Sequence, residues 1–293
     1  MRNWQVALSG ILVGWLALAA PVGAQDTASL ADVEKAADAG DVKAQVQMGD
    51  VYFDGNGVDS DHAKAAEWYL KAANQGDSDA ETDLGAMYAQ GDGVTEDDAQ
   101  SLVWNQKAAD QGNIRAEYNL GVAYDNGIGV TRDLATAFAW YEKAAVAGYD
   151  VAQYNLGNMF ELGDGTAQDY AQAMAWYEKS ADQGHAAAKY NLGIMYLNGE
   201  GVSVDNAKGF ALVQAAAEGG FGFAQGKMAA IYHDGLAGQA KDAVKAYAWA
   251  LLAADGGDDD ANALLDQMES GNELTADQRQ QASDLAETLV PAE

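Results

Sequence analysis

Acid–base or metal chemistry in this chain would depend on three histidines and 45 aspartates and glutamates, because the sequence contains no cysteine. The lack of cysteine excludes disulfide scaffolds, thiolate metal sites and cysteine nucleophiles. Catalysis and metal binding both need side chains that converge on one point. His62, His185 and His233 fall at unrelated offsets of the repeat that organises the chain, so we expect surface or hydrogen-bonded structural histidines.

The sequence also lacks the short motifs that accompany hydrolytic and metal-dependent enzymes. It has no His-Glu-x-x-His, no Gly-x-Ser-x-Gly and no serine followed three residues later by lysine. Asp54, Asn56 and Asp59 are spaced like the start of a calcium loop. However, Asp59 and Ala65 stand where such a loop needs glycine and glutamate. We therefore predict no catalytic residue, no metal site and no cofactor.

The charge of the chain restricts its partners. Sixteen lysines and arginines oppose 45 acids, which gives a formal net charge of −29. Such a chain repels nucleic acid and anionic membrane surfaces. The expected partner is a protein or peptide, and a basic one would suit the acidic surface. Whether the acidity selects a partner or is an adaptation to salt is left open by the sequence.

A period of 36 residues explains most of the sequence. With Gly40 as position zero, alanine, an aliphatic residue and an aromatic residue recur at offsets 4, 8 and 12. These offsets lie on one face of a helix, here called helix A. The recurring glycines are Gly40, Gly76, Gly112, Gly148, Gly184 and Gly220.

A second helix, helix B, follows a glycine-rich loop in each unit. A pair such as Gly127 and Gly129 suits the end of helix A, and an aspartate in register predicts the N-cap of helix B. Helix B carries a tryptophan in four units, and we expect Trp140 to be almost fully buried between repeats. Such a unit cannot bury its apolar face alone and must stack on its neighbours.

The N-terminus has the pattern of a cleaved signal peptide. Arg2 precedes an apolar run over residues 6–20, and small residues lead up to Ala24. A retained membrane anchor fits less well, because about 15 apolar residues are short for a span of ~20. We expect cleavage after Ala24, a periplasmic or secreted protein, and no stable membrane insertion afterwards.

The predicted organisation has four parts. Residues 1–24 are the signal peptide, 25–39 an N-terminal capping half-repeat, 40–256 six repeats, and 257–293 a C-terminal half-repeat with a capping helix. Thr275 and Gln278 of that last helix are spaced as a capping box.

The repeated residues resemble the Sel1-like repeat family, a relative of the tetratricopeptide repeats. The clearest matches are residues 116–121 with 127–130, and residues 139–145. The resemblance implies an all-α, right-handed superhelical solenoid of antiparallel helix pairs with a 36-residue repeat. It also implies a non-enzymatic adaptor or scaffold that assembles protein complexes. The alternative is a cell-wall-associated enzyme or a β-lactam-interacting protein of the Sel1-like type, although the absence of cysteine departs from the cysteine-rich members of that branch.

The candidate binding residues lie on helix A, opposite its buried face, at offsets 3, 7, 10 and 14; this surface is here called the helix A stripe. In tetratricopeptide-like solenoids helix A lines a concave groove, and an asparagine amide suits an extended peptide backbone. The same asparagines are equally compatible with a structural ladder between neighbouring repeats. The predicted partner-binding residues are Asn119, Val122, Asn126, Asn155, Asn158, Asn191, Ile194 and Asn198.

Overall fold

The structure is a computed structural model that describes residues 29–290, and these form fifteen α-helices with no strand among them. The prediction of an all-α chain with a 36-residue repeat is confirmed. The predicted signal peptide at residues 1–24 lies outside the described residues. The helices are α1 (Leu30–Asp38), α2 (Val42–Asp54), α3 (His62–Ala73), α4 (Ser78–Gln90), α5 (Asp98–Asp110), α6 (Ile114–Asn126), α7 (Leu134–Val146), α8 (Asp150–Leu162), α9 (Tyr170–Asp182), α10 (Ala186–Asn198), α11 (Asn206–Glu218), α12 (Gly222–Asp234), α13 (Ala243–Asp255), α14 (Asp259–Ser270) and α15 (Ala276–Leu289).

The helices begin and end at the residues that the sequence indicated. Helix A of the six repeats corresponds to the even-numbered helices α2 to α12, and Gly127 ends α6 in the left-handed region with φ of 72°. Helix B begins after an aspartate N-cap; the carboxylate of Asp133, for example, accepts the backbone N–H groups of Ala135 and Thr136. These bonds satisfy donors that the first turn of a helix leaves unpaired. The aspartate N-caps of helix B are Asp61, Asp97, Asp133, Asp169 and Asp205.

Helix A and helix B of one repeat run in opposite directions. In the first repeat the backbone N–H of Asp61 donates to the carbonyl of Tyr52 at 2.8 Å, near the loop that joins the helices. At the other end of the pair, the Gln75 amide donates to the Gln45 side-chain oxygen at 2.7 Å. The end of α2 therefore lies beside the start of α3, and the start of α2 lies beside the end of α3, as in an antiparallel pair.

The described residues divide into two compact units. Unit 1 comprises residues 29–123 and 127–131, and unit 2 comprises residues 124–126 and 132–290. The core of unit 1 contains Tyr69, Leu84 and Trp104 among small alanines. Unit 2 has several clusters of the same kind, one around Tyr177 and another around Trp249.

In α3, α7 and α9, tyrosine rather than the adjacent tryptophan is the most deeply buried aromatic residue of helix B. Tyr69, Tyr141 and Tyr177 are 0%, 2% and 0% exposed, whereas Trp140 is only partly buried. The prediction that Trp140 is almost fully buried is therefore wrong. Adjacent residues point about 100° apart on a helix. The Tyr141 hydroxyl reaches Asp125 of α6 at 3.5 Å, so Tyr141 faces helix A and Trp140 is turned away from it.

A lysine from the next turn covers the tryptophan of α3, α5, α7 and α9. The Lys143 Nζ atom lies 3.8 Å from the centre of the Trp140 ring, and the Lys179 Nζ atom lies 3.5 Å from that of Trp176. The same arrangement recurs at Lys71 and Lys107. An ammonium group over an indole face is electrostatically favourable, and the lysine stem shields the ring from water.

The C-terminal helix has the predicted capping box. The Thr275 hydroxyl accepts the backbone N–H of Gln278, and the Gln278 side chain accepts the backbone N–H of Thr275. Helix α15 packs against α13 and covers Met268, Leu274 and neighbouring apolar residues. Within residues 29–290, no helix combines the length and the apolar character needed to cross a membrane.

Candidate partner-binding site

The eight predicted binding residues all keep some exposed surface. Six are partly buried, whereas Asn126 and Asn198 are exposed at the C-terminal ends of their helices. Asn119 and Val122 belong to unit 1, and the other six belong to unit 2.

In unit 2, Asn158 and Asn191 join a hydrogen-bonded network around the buried Tyr177. The Asn191 Nδ2 atom donates to Asn158 Oδ1 at 3.1 Å and to the Tyr177 hydroxyl at 3.2 Å. The Tyr177 hydroxyl lies 2.6 Å from a carboxylate oxygen of Glu161. Burial raises the pKa of Tyr177 above its ordinary value, so this hydroxyl stays protonated and can donate. Both amide protons of Asn191 are therefore used inside the molecule, and the side chain of Tyr154 also hydrogen-bonds to Asn158 and Asn191.

In unit 1, Asn119 is also tied to a neighbouring helix. Its Nδ2 atom donates to Asn105 Oδ1 at 3.0 Å, and Asn105 in turn donates to the backbone carbonyl of Ser101 at 2.9 Å. Asn119 and Asn191 thus make the contacts expected of a structural ladder. Asn155 is different: it is partly buried, and its side-chain amide makes no hydrogen bond within residues 29–290.

Buried glutamines at offset 5 were not singled out from the sequence, although their spacing is a readable signal. Gln45, Gln153 and Gln225 are buried, and each side chain donates to a carbonyl at the end of the preceding helix B at 3.1, 3.1 and 3.3 Å. The last carbonyls of a helix have no partner within the helix. Each of these glutamines donates a hydrogen bond to one such carbonyl, and this bond fixes the spacing between successive helix pairs.

The helix A stripe of unit 1 is acidic and carries a paired cation. The Arg115 guanidinium donates to Asp83 at 2.8 Å and lies 3.4 Å from Asp79. Asp83 is buried, and burial raises its pKa to about 6, although Arg115 acts in the opposite direction. The desolvation of this carboxylate therefore outweighs its attraction to Arg115.

Asp83→Asn is expected to reduce the pH dependence of stability. An acid with a raised folded pKa contributes stability that is fully present below its unfolded pKa of ~3.9 and is lost as pH rises through the folded value. Relative to the variant, the wild type should therefore lose stability between pH 4 and pH 7, on the order of 1–3 kcal/mol. Urea unfolding of both proteins across this range measures the difference, and a difference that does not change with pH would contradict the assignment.

The three histidines have structural hydrogen-bond partners. The His185 Nδ1 atom accepts the backbone N–H of Ala188 at 3.2 Å as the N-cap of α10, and the ring stacks on Tyr154 at 4.8 Å. His62 bonds to Asp92, and His233 lies between Asp234 and Glu273. Within residues 29–290, no group of three or more His, Asp or Glu side chains is placed to hold a metal ion.

His185 is expected to make unit 2 sensitive to acid. Burial lowers the pKa of His185, because the charged ring is poorly solvated there. For a base with a lowered folded pKa, the stability contribution is present above the unfolded value of ~6.5 and is lost as pH falls through it. His185→Asn keeps an N-cap of the type seen at Asn113 but does not titrate. Thermal unfolding of the variant should therefore change less between pH 7.5 and pH 5 than that of the wild type; equal changes would contradict this role.

A model of the Sel1 repeat matches six consecutive segments, each of which begins with a helix A. The matched residues are 42–77, 78–113, 114–149, 150–185, 186–221 and 222–258. The chain belongs to the Sel1 repeat family.

Solved structures of other Sel1 repeat proteins are similar to this chain. One is the crystal structure of a Sel1 repeat protein from Oxalobacter formigenes, whose sequence is 30% identical to this chain. The alignment covers 73% of this chain and 85% of that protein, and the TM-score is 0.69. Another is the crystal structure of a protective antigen of uropathogenic Escherichia coli with an SLR fold, which is 27% identical to this chain. The alignment covers 88% of this chain and 70% of the antigen, and the TM-score is 0.44. Comparison with curated protein sequences gives no significant match.

Membership of the Sel1 repeat family defines the general class of activity. Sel1 repeats are typically protein-interaction scaffolds, and the family is generally non-enzymatic. The Sel1 repeats of this chain therefore indicate protein binding.

Proposed function

We propose that this protein is a non-enzymatic scaffold that binds a protein or peptide along the helix A stripe, in the periplasm or outside the cell. The observation that carries the proposal is the amide of Asn155, which lies partly exposed on α8 and makes no hydrogen bond within residues 29–290. An amide that makes no hydrogen bond inside the protein can use its donors and its acceptor on another molecule, and an extended peptide supplies both N–H and C=O groups.

The sequence supports the proposed location of this protein and the proposed charge of its partner. The apolar run after Arg2 and the small residues before Gln25 support export of the chain. The net charge of −29 favours association with proteins whose surface is mainly basic, and salt should slow that association.

The role of the asparagines is tested by separating stability from binding. Asn191→Ala should lower stability by about 1–2 kcal/mol, because Asn158 and Tyr177 lose their donor. Asn155→Ala should leave stability within about 0.5 kcal/mol and weaken binding, because its amide serves only the partner. The probe is a synthetic peptide selected on the purified wild-type protein from a random peptide library displayed on phage. Affinity is measured by titration calorimetry, and stability by urea unfolding.

Asn206→Ala is the matched control, since Asn206 is exposed at the start of helix α11, away from the stripe. It should change neither stability nor affinity. If Asn155→Ala binds the peptide as tightly as the control does, the peptide lies elsewhere and the proposed binding surface is wrong.

A further inference from the structure

The helix A stripe of unit 2 carries no acid at offsets 3, 7 and 10, although the whole chain is strongly acidic. By contrast, the equivalent positions of unit 1 include Asp50, Asp79 and Asp83. The unit 2 positions in α8, α10 and α12 form an apolar row at offset 3, a polar row at offset 7 and a mixed row at offset 10. In order of offset these are Val151, Ala187 and Phe223; Asn155, Asn191 and Lys227; and Asn158, Ile194 and Ala230.

An aromatic group marks the N-terminal end of α12. Phe223 is 58% exposed, and its ring lies 5.6 Å from that of Phe221, which in turn lies 5.5 Å from Tyr190 of α10. Phe221 occupies the N-cap position of α12 and makes no side-chain capping bond, whereas the equivalent His185 caps α10. A large exposed ring supported by other rings is a rigid contact surface of the kind found at protein interfaces.

Lys227 lies one turn after Phe223 and has no counter-ion. It is partly buried, and no carboxylate within residues 29–290 lies at ion-pair distance from it. The carboxylate of Asp258 lies beside the adjacent Gly226, but it caps the N-terminus of α14. Arg115, a stripe cation of unit 1 at offset 3, is by contrast paired with Asp83. A partly buried charge without a partner is unfavourable, so a carboxylate supplied by another molecule would be stabilising here.

We propose that the stripe of α10 and α12 is a subsite for an extended peptide segment that carries an apolar residue and an acidic residue two positions apart. The apolar side chain packs on Phe223 and Ala187, and the carboxylate pairs with Lys227. Residues four apart on a helix have Cβ atoms about 6 Å apart, and residues two apart on an extended chain are separated by roughly 6.6 Å on the same side. The spacing of Phe223 and Lys227 therefore matches an apolar-x-acidic segment.

The remainder of the partner should be neutral or basic, because a further acidic residue would face the negative charge of the chain as a whole. This inference rests on the proposed binding function and adds the chemistry of one segment of the partner.

The test uses the peptides selected from the random phage library on the wild-type protein. We expect enrichment of an apolar or aromatic residue separated by one position from Asp or Glu. Changing that acid to lysine in a synthetic peptide should weaken binding at least tenfold. Lys227→Glu should weaken the original peptide similarly and bind the lysine peptide better than the wild type does. Phe223→Ser should weaken both peptides.

Matched controls separate the subsite from general effects. Lys189→Glu changes the charge of another partly buried lysine of α10, and Val146→Ser removes another exposed apolar side chain, from α7. Neither should change the preference between the two peptides. Circular dichroism confirms that each variant is folded, and Lys227→Gln replaces Lys227→Glu if the latter unfolds.

The outcomes distinguish this inference from the proposed function. If selected peptides bind and are weakened by Asn155→Ala but are insensitive to Lys227→Glu and Phe223→Ser, the subsite is wrong and peptide binding along the stripe stands. A basic consensus with the same insensitivity also overturns the subsite. If no peptide is retained by the wild-type protein, both the subsite and the proposed function fail.

Discussion

Replacement of Tyr177 by alanine is expected to lower the unfolding free energy by about 3–5 kcal/mol, the cost typical of a large aromatic side chain removed from a core. Tyr177 is completely buried in α9 and packs among Ala188, Leu192 and Met195. Its hydroxyl also organises the polar network of the stripe. The loss therefore combines a cavity with unpaired polar groups, and urea unfolding followed by circular dichroism measures it.

Tyr177→Phe separates the two contributions. The phenyl ring fills the same space, so the variant should lose only about 1–2 kcal/mol from the hydrogen bonds to Glu161 and Asn191. A loss below ~1 kcal/mol for Tyr177→Ala, or equal losses for the two variants, would show that the ring contributes little to the core.

Gly157→Ala is expected to destabilise the protein by about 1–3 kcal/mol, even though alanine is the better helix former. A Cβ atom built on Gly157 would lie 2.6 Å from Cδ1 and 2.7 Å from Cε1 of Tyr177. The tyrosine ring cannot move aside readily, because its hydroxyl is hydrogen-bonded and its surroundings are close-packed. The glycine at offset 9 of helix A is thus required by the close approach of helix B.

Gly222→Ala is the matched control for this substitution. Gly222 is also helical, at the start of α12, but a Cβ atom there would meet no atom within 4 Å. This change should be neutral or should stabilise the protein by up to ~1 kcal/mol. Unfolding midpoints that fall equally for the two variants would show that the effect at Gly157 does not come from the contact with Tyr177.

Local signals explain why the helices could be predicted from the sequence. An aspartate N-cap, a glycine with positive φ and a 36-residue period each act within one or two turns of the chain. Asp133, Gly127 and the Thr275–Gln278 capping box were therefore found where the sequence indicated. The same reasoning identified the face of helix A that carries the candidate residues.

The details that the sequence did not reveal depend on how helices pack. Trp140 and Tyr141 are adjacent aromatic residues, and only the placement of α7 against its neighbours makes Tyr141 the buried one. Likewise, the spacing of Asn158 and Asn191 places them one repeat apart with a shift of one turn, but only side-chain distances show that they bond to each other. The amide of Asn155 is left unpaired by the same geometry.

The position of a bound peptide on the protein is the most direct test of partner binding along the helix A stripe. A peptide selected on the wild-type protein is synthesised with a photoreactive side chain, cross-linked to the protein and mapped by mass spectrometry. We predict adducts on the exposed sides of α8, α10 and α12, at residues such as Asn155, Ala187 and Phe223. Adducts confined to helix B around Lys143 and Lys179, or to α1 and α15, would contradict the account.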